Sequence, residues 1–570
     1  MARRGWSLIG SPREVTSEAS APTGQTPPGA PTPLRVIAGR IGTFGLIALP
    51  TTFLAVFFIW PVAALVRRAA SVYSSGNSVG DLLSRTHAIH LLGVTLVQAG
   101  ASTLVALLVA APIVWLYARL PGSGSILLTV IVTVPFVLPT VVVGVAFRAL
   151  LNGPLAGLGL GSGLPAVLAA HAFLNVAVVV RVVGATWRSL DTRPQEAARA
   201  LGATRLRAWY TVVLPRLLPA VGAAAALVFL FCSTSFGVII ILGGGVLRTL
   251  ETEIYTQAIG YFRIPEAVFL SMLQVIVVVA VLLCTRIFRS PSGPGVAGVR
   301  RTPRPVRGPA RVPVLLAWIW SVVILVGPIA VLALRSVRPS VGGSWTLDGY
   351  RALSDPVNGV TPLATLRFSL TSAALAMLLA LSLGVLAAIA LHRASGIAGA
   401  LGNAIAMIPL GISAVTVGFG YLIVLAALPT EVATSPLVIP CVQALIAVPV
   451  VIRIVVPALE SVPGRLRQAA SVLGASPLRV FFTVDLRLIG RSIGAAGGFA
   501  FVMALGEFGA TSFLARADTT TLPVLIGSAL NRPGANELAT AMAASTLLVA
   551  VTAGAVLAVE AFRPRSGTLI

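Results

Sequence analysis

The sequence predicts an all-α integral membrane protein with about twelve transmembrane helices, arranged as two six-helix parallel repeats. Of its 570 residues, 57% are hydrophobic and only 10% are charged, whereas soluble domains carry about 25% charged residues. The mean hydropathy of +0.96 agrees with this. A third observation is that related segments recur at a constant spacing, as in VVVRVV around Arg181 and VVIRIV around Arg453.

The charge balance is strongly basic, with a formal net charge of +24, and every one of the 41 basic residues is an arginine. A lysine-free chain cannot contain the GxxxxGK[ST] loop that binds nucleotide phosphates. In a membrane protein, an arginine surplus is typical of loops retained in the cytoplasm. We therefore predict no nucleic-acid partner, and any ATP hydrolysis must occur on another chain.

Apolar runs along the chain predict the spans in order. Residues 1–40, rich in Pro, Ser, Thr, Gly and Ala, predict a disordered cytoplasmic tail. Each run is long enough to cross about 30 Å of hydrocarbon. The twelve runs centre on 41–66, 91–118, 124–151, 164–187, 216–242, 267–287, 313–334, 366–391, 397–427, 434–458, 491–514 and 538–561, and the stretches 91–151 and 366–427 can also be divided differently.

Arginine placement orients these spans. With the N-terminus inside, the arginine-rich segments 188–216 and 286–311 fall on the inner side. The outer loop 243–266 has no excess of positive charge, because it contains two arginines and three acids, Glu251, Glu253 and Glu266. An even number of spans then places both termini in the cytoplasm.

A linker of Pro, Gly and Arg divides the chain. It defines a first repeat at 41–288, a cytoplasmic linker at 289–312 and a second repeat at 313–570. Matching positions include Phe236-Gly237 with Phe508-Gly509 at an offset of 272, and Gly144 with Gly418 at 274. Two parallel halves predict a pseudo-two-fold axis along the membrane normal, with a translocation path between the halves.

The inner loop 187–216 is long, polar and helix-prone, and it occurs twice. Gly202 interrupts the helical run, which predicts a helix–turn–helix elbow. Such a helix suits docking into a groove of a soluble partner, although an arginine-rich helix can also lie on the bilayer surface. The duplication favours docking, with a partner that is itself two-fold.

The loop residues match a known pattern. Glu196, Ala197, Ala198, Gly202, Leu214 and Pro215, with Val212 for isoleucine, resemble the EAA–x3–G–x9–I–x–LP signature of permease subunits of binding-protein-dependent ABC importers. The second copy has Gln468, Ala469, Ala470 and Gly474. It departs from the signature at Gln468, at Val484 and at Arg487 in place of the proline.

The fused arrangement resembles the ferric-iron and thiamine permease group. The segments FCSTSFGVIIILGGG, TLETEIYTQA and LGEFGATSFLARADTTTLPV look similar to that group. The resemblance implies a non-catalytic transport subunit of the bacterial inner membrane. An extracytoplasmic binding protein would deliver a substrate of ferric-iron or thiamine type. Two copies of a separate ABC ATPase would bind ATP and dock on the two loops, so the chain itself would need no cofactor.

Polar residues inside apolar runs are candidates for the path, because intramembrane charge is costly. Glu507 lies well inside the predicted eleventh span and matches Ser235 in the first half. A path-lining role, a structural partner or an interfacial position would each account for it. His171 matches Gln443, and Asn175 lies one turn later; a packed polar contact is favoured over a ligand role. No catalytic residues and no metal ligands are predicted.

Two other functions remain open. A secondary transporter of two fused halves could use an ion gradient, and a membrane scaffold would not transport at all. The duplicated EAA loop favours the importer. Glu507 is the single clear intramembrane acid, fewer than an ion-driven carrier normally needs.

Overall fold

The computed structural model describes residues 46–562 except 75, 77, 288–310, 340–342, 357–358, 395, 531 and 533. The predicted tail 1–40 and nearly all of the linker 289–312 lie outside the described residues. The described chain folds as helices joined by short loops. Within it, ten helices are long and apolar enough to cross a membrane, or up to twelve if each of two bent pairs is one span. The predicted all-α membrane class is confirmed.

The first half, as far as it is described, contains five long helices and several short ones. The α4 and α5 helices form the first bent pair, and a short 3₁₀ turn at Ala156–Leu158 follows them. The helices are α1 Leu46–Ser74, α2 Val79–Thr86, α3 Ala88–Arg119, α4 Gly122–Val137, α5 Thr140–Leu151, α6 Leu164–Ser189, α7 Arg193–Ala200, α8 Arg205–Ser233, α9 Gly237–Leu242, α10 Leu250–Tyr255 and α11 Ile264–Ile287.

The second half repeats this order. The helix Pro362–Arg393 corresponds to α3 and has the same 32-residue length. The helix Pro477–Leu505 corresponds to α8. The helices are α12 Arg311–Val337, α13 Asp348–Arg351, α14 Pro362–Arg393, α15 Gly396–Gly411, α16 Ala414–Leu425, α17 Thr430–Ala433, α18 Val438–Glu460, α19 Gly464–Val472, α20 Pro477–Leu505, α21 Thr511–Leu514, α22 Leu522–Leu530 and α23 Ala535–Phe562.

The predicted spans 124–151 and 397–427 are not straight helices, which corrects the sequence prediction. The chain turns by 101° between α4 and α5, and by 82° between α15 and α16. At the first turn, Leu138 precedes Pro139 and is extended (ψ 141°). A residue before proline is disfavoured in the helical region, so the helix ends there.

Two further predicted spans also end early. The run 216–242 is divided, because α8 ends at Ser233 and α9 begins at Gly237. The run 491–514 is divided in the same way, because α20 ends at Leu505 and α21 begins at Thr511. Both breaks expose backbone groups that need other partners inside the protein.

The halves are interlocked through their first helices. The α1 helix packs on α16 of the second half, and α12 packs on α3 and α5 of the first half. Trp320 of α12 donates its indole N–H to the carbonyl of Val109, 3.0 Å away. In exchange, the Tyr421 hydroxyl of α16 donates to the carbonyl of Phe57. Such interhelical hydrogen bonds and close packing hold helices together where lipid surrounds them.

Matched glycines allow the same close approach in each half. A Cβ added to Gly144 would lie 2.9 Å from the Cβ of Ile241 in α9. A Cβ added to Gly418 would lie 2.7 Å from the Cα of Ala510, just before α21. The glycine pair seen in the sequence therefore marks the contact between the second helix of each bent pair and the chain that follows α8 or α20.

Candidate translocation path and coupling loops

The first EAA loop runs from α7 through a tight turn into α8. Gly202 has φ +92°, a conformation that glycine adopts without a steric penalty. Its N–H donates to the carbonyl of Arg199 at 3.1 Å, and the N–H of Ala203 donates to the carbonyl of Ala198 at 3.0 Å. These two bonds form a Schellman motif, which satisfies carbonyls at the helix end. The elbow predicted at Gly202 is confirmed.

The second loop has the same backbone. Gly474 has φ +83°, and the N–H groups of Gly474 and Ala475 donate to the carbonyls of Ser471 and Ala470, both at 3.0 Å. The next helix is capped alike in both loops, by Thr204 in one and Ser476 in the other. Two loops at equivalent places in the repeat thus share one geometry despite their different side chains.

Both loops expose apolar side chains at equivalent positions. Leu201 and Leu473, at the C-terminal ends of α7 and α19, are 89% and 87% exposed. Leu206 and Leu478, in the first turns of α8 and α20, are 66% and 72% exposed. We call these four leucines the paired leucine surface.

The EAA side chains lie beside this surface. Glu196 and Ala197 are exposed in α7, as are Gln468 and Ala469 in α19, while Ala198 and Ala470 are half-buried. The Thr192 hydroxyl donates to Glu196 Oε1 at 3.2 Å, and the carboxylate lies in the first helical turn, where the helix dipole favours negative charge.

Leu214 and Pro215 begin the regular α-helical part of α8, with Pro215 in its first turn. The helix begins at Arg205 and passes through a π-turn at Trp209–Val213 before Leu214. Proline lacks a backbone N–H and would interrupt an ordinary helix. The wider turn immediately before Pro215 accommodates the missing hydrogen bond.

Phe236 and Phe508, which are equivalent residues of the two predicted repeats, form a stacked aromatic pair. Phe236 and Phe508 lie in the breaks after α8 and α20. Their rings stack with centroids 5.2 Å apart and planes 17° apart. They are 5% and 7% exposed. Equivalent residues of two repeats related by a two-fold axis can touch only near that axis, so these two rings lie where the halves meet.

His171 and Ser235 meet in a buried polar network beside this pair. His171 Nε2 lies 2.8 Å from Ser235 Oγ, and its Nδ1 lies 2.8 Å from Gln98 Nε2 and 3.0 Å from Ser102 Oγ. Asn175 joins through its side-chain N–H, which donates to the His171 carbonyl at 2.9 Å. These contacts join three elements of one half, and polar groups that pair with one another are the kind that a membrane interior tolerates.

Glu507 is not inside a span, contrary to the sequence prediction. It lies beyond the end of α20, where Oε1 accepts the N–H of Ala510 at 2.7 Å and Oε2 accepts the N–H of Thr511 at 2.9 Å. The carboxylate therefore caps α21. Because the helix is broken here, its backbone N–H groups need an acceptor, and both Glu507 oxygens serve them.

The sequence prediction missed Glu251, which it assigned to a solvated outer loop. Glu251 is fully buried in α10, and Glu253 is 6% exposed. Glu251 Oε2 accepts a 2.6 Å hydrogen bond from Ser413 Oγ, at the bend between α15 and α16 of the other half. The only sequence signal for a buried role was that TLETEIYTQA looks similar to the permease group. The charge count of 243–266 instead indicated an outer loop.

Comparison with known proteins agrees with this architecture. Residues 102–294 match the family described as "Binding-protein-dependent transport system inner membrane component". This stretch includes the first EAA loop and the breaks around Phe236. Among the described residues, no group of three His, Cys, Asp or Glu side chains could hold a metal ion.

Curated relatives match over most of the chain. The "Thiamine transport system permease protein ThiP" of Brucella abortus is 29% identical over 450 residues, covering 76% of this chain and 80% of the relative. The protein of the same description in Escherichia coli K12 is 25% identical over 386 residues, covering 65% and 69%.

A shorter relative matches a smaller share of the chain. The "Sulfate transport system permease protein CysT" of Salmonella typhimurium is 29% identical over 245 residues, covering 41% of this chain but 84% of the relative. A nearly complete permease thus corresponds to less than half of this polypeptide. Together with the two-fold repetition of the helices, these matches show that the chain is similar to permease subunits of binding-protein-dependent ABC importers, of the type that fuses two halves in one polypeptide.

Proposed function

We propose that this chain forms the translocation path of its importer, and that a separate ATPase subunit docks on the two EAA loops. The observation that carries the proposal is the paired leucine surface, which recurs at equivalent positions in two loops of one geometry. Large exposed apolar groups on loops between membrane spans are costly in water, and such exposed patches mark interaction sites.

The ATPase is proposed to bind in two copies, one on each loop. Glu196, Ala197, Ala198, Gly202, Leu214 and Pro215 would serve the first copy, and Gln468, Ala469, Ala470 and Gly474 the second. The two sites differ in charge, because Gln468 replaces the carboxylate of Glu196. We therefore expect unequal contributions from the two loops.

The Phe236–Phe508 pair is proposed to close the path in this conformation. An importer must alternate between inward- and outward-open states, and rigid movement of two halves is a common route. Separation of the two rings would open the centre. ATP and the loaded binding protein would each favour one of the two states. In this proposal His171, Asn175 and Ser235 lie beside the path.

Thiamine is the proposed substrate, because the relatives that match most of the chain are described as thiamine permeases. An extracytoplasmic binding protein would deliver it, and both termini of this chain would face the cytoplasm. ATP would bind to the partner subunit, since a lysine-free chain has no phosphate-binding loop of the usual kind. On this proposal the chain carries no cofactor and no metal, and it performs no catalysis itself.

The test is uptake of labelled thiamine into proteoliposomes that contain the full-length chain with its ATPase subunit and its binding protein. We expect ATP-dependent uptake that excess unlabelled thiamine suppresses and that ferric iron and sulfate do not. Uptake of ferric iron or sulfate alone would overturn the substrate. Uptake that requires an ion gradient and continues without ATP would overturn the importer in favour of a secondary transporter.

A further inference from the structure

The second coupling loop contains an arginine with three separate partners. Arg467 lies in α19, immediately before Gln468. Its Nε donates to Asp485 Oδ1 at 2.7 Å, and its Nη2 donates to the carbonyl of Leu459 at 2.9 Å. Its Nη1 lies 3.0 Å from His392 Nε2. Because arginine carries only donors, the histidine nitrogen is the acceptor.

These partners belong to three long helices of the second half. Asp485 ends the π-turn near the start of α20, Leu459 lies at the C-terminal end of α18, and His392 lies in the last turn of α14. Carbonyls at a helix C-terminus lack partners within the helix and attract positive charge. Arg467 therefore joins the coupling helix to the ends of all three helices.

The ion pair is sheltered from water. The side chains of Arg467 and Asp485 are 25% and 12% exposed. In a sheltered pair, removal of one partner leaves the other charge unpaired, and the cost is large. A contrasting pair, Arg351 with Asp348 at 3.2 Å, has side chains 78% and 67% exposed, and pairs of that kind contribute little.

The two halves differ in this feature. In the first half, Gln195 stands at the position equivalent to Arg467, and Val213 at that equivalent to Asp485. Both charges are present in one copy of the loop, and both are missing from the other. The second copy has also lost the charge that Glu196 carries in the first, so the two loops differ in their partner contacts and in their internal attachment.

We propose that Arg467 is a positioning residue that fixes the second coupling loop to α14, α18 and α20, so that the loop and these helices move as one body. The inference rests on the proposed function, in which the ATPase docks on this loop. A displacement of α19 by the ATPase then passes directly to the three attached helices of the second half. The first half transmits its displacement without this ion pair.

The test compares Arg467→Gln, Asp485→Val and their combination, which gives the second loop the residues of the first. Arg467→Lys retains the charge but loses the planar set of donors. Arg351→Gln, in the exposed pair, is the matched control. Each full-length variant is reconstituted with the ABC ATPase subunit and the binding protein used for the wild-type chain. The measurements are thiamine imported per ATP hydrolysed, ATPase binding, thermal stability, and hydrogen exchange of residues 464–475.

We expect Arg467→Gln to lower import per ATP by about tenfold and to accelerate hydrogen exchange in 464–475 by a similar factor, because a sheltered ion pair is lost. ATPase binding should stay within about twofold of wild type, since the docking side chains are intact. Arg467→Lys should be intermediate, and Arg351→Gln should match wild type. The double variant should regain thermal stability, because no charge is left unpaired, but import per ATP should remain low.

Three outcomes would overturn the inference. One is wild-type import per ATP in Arg467→Gln. Another is full recovery of import together with stability in the double variant, since Arg467 would then be only structural. The third is loss of ATPase binding in Arg467→Gln, which would place the residue in docking. If Arg467→Gln does not assemble, import per ATP in the Arg467→Gln/Asp485→Val variant tests the inference instead. Failure of the wild-type chain to bind the ATPase would instead contradict the proposed function.

Discussion

Single buried polar residues connect the two halves of this protein. Glu251 in the first half accepts from Ser413 in the second, and the same Ser413 hydroxyl accepts the N–H groups of Val415 and Thr416 at the start of α16. One hydroxyl thus caps a helix at the bend and satisfies a carboxylate of the opposite half. A buried acceptor that loses its donor keeps its desolvation cost.

We expect Ser413→Ala to destabilise the protein by about 2–4 kcal/mol, the sum of a lost helix cap and a buried unpaired acceptor. Ser413→Thr, which keeps the hydroxyl, and Glu251→Gln, which keeps an acceptor, should cost less than Ser413→Ala. Denaturation of the purified chain in detergent measures the difference. Ser382→Ala removes an exposed hydroxyl that bonds only within its helix and should change stability by less than about 0.5 kcal/mol. Equal effects of Ser413→Ala and Ser382→Ala would contradict this account.

At the scale of the helices, specific backbone hydrogen bonds fix the turn between the two helices of each coupling loop. A Schellman turn ends α7 and α19, and a Thr or Ser cap begins the helix that follows. These devices fix the angle between the two helices of each loop. The exposed leucines are thereby held in one arrangement, which would lower the entropy cost of the proposed docking.

We expect Leu201→Asp to weaken ATPase binding by about tenfold or more, because an apolar anchor is replaced by a charge at an interface. Leu473→Asp should act in the same direction, and the double variant should abolish binding. Val246→Asp is the matched control, since Val246 is 90% exposed in the predicted outer loop. Copurification of the ATPase with the tagged full-length chain is the measurement. Unaltered binding by the Leu201→Asp/Leu473→Asp variant would rule out this docking surface.

At the scale of the whole molecule, the described parts of the two halves pack as one interlocked unit. Each first helix packs on the opposite half, and the stacked Phe236 and Phe508 meet between them. Movement of the halves therefore needs sliding or rotation about the axis rather than full separation, because the exchanged helices tie the two together.

Cross-linking at the centre should stop transport. We expect a Phe236→Cys/Phe508→Cys variant, made after replacement of the free cysteines Cys232, Cys284 and Cys441, to react with a short bifunctional methanethiosulfonate reagent. Import should fall to background and return when the reagent is reduced, because the two positions can no longer part. The control is Phe147→Cys/Phe173→Cys, from an aromatic pair 5.5 Å apart within one half. Continued import by the cross-linked central pair would show that the path lies elsewhere.

The sequence predicted local features well where the signal is local. Gly202 and Gly474 marked both elbows, because glycine is favoured at positive φ. Hydropathy located the long helices. It could not show that α4 and α5, or α8 and α9, are separate, since an apolar run continues across both breaks. The docking role of the loops and the limits of the two repeats stay predictions.

The sequence by itself determined the membrane class, the recurrence of related segments and the positions of the two glycine elbows, because hydropathy, spacing and glycine placement are properties of neighbouring residues. Only the tertiary structure decided which polar side chains meet. Glu251 bonds to Ser413 across 162 positions of the chain, and Glu507 caps its own short helix instead of lying within a span. A carboxylate in an apolar protein must find donors, and the partner that it finds depends on how distant helices pack.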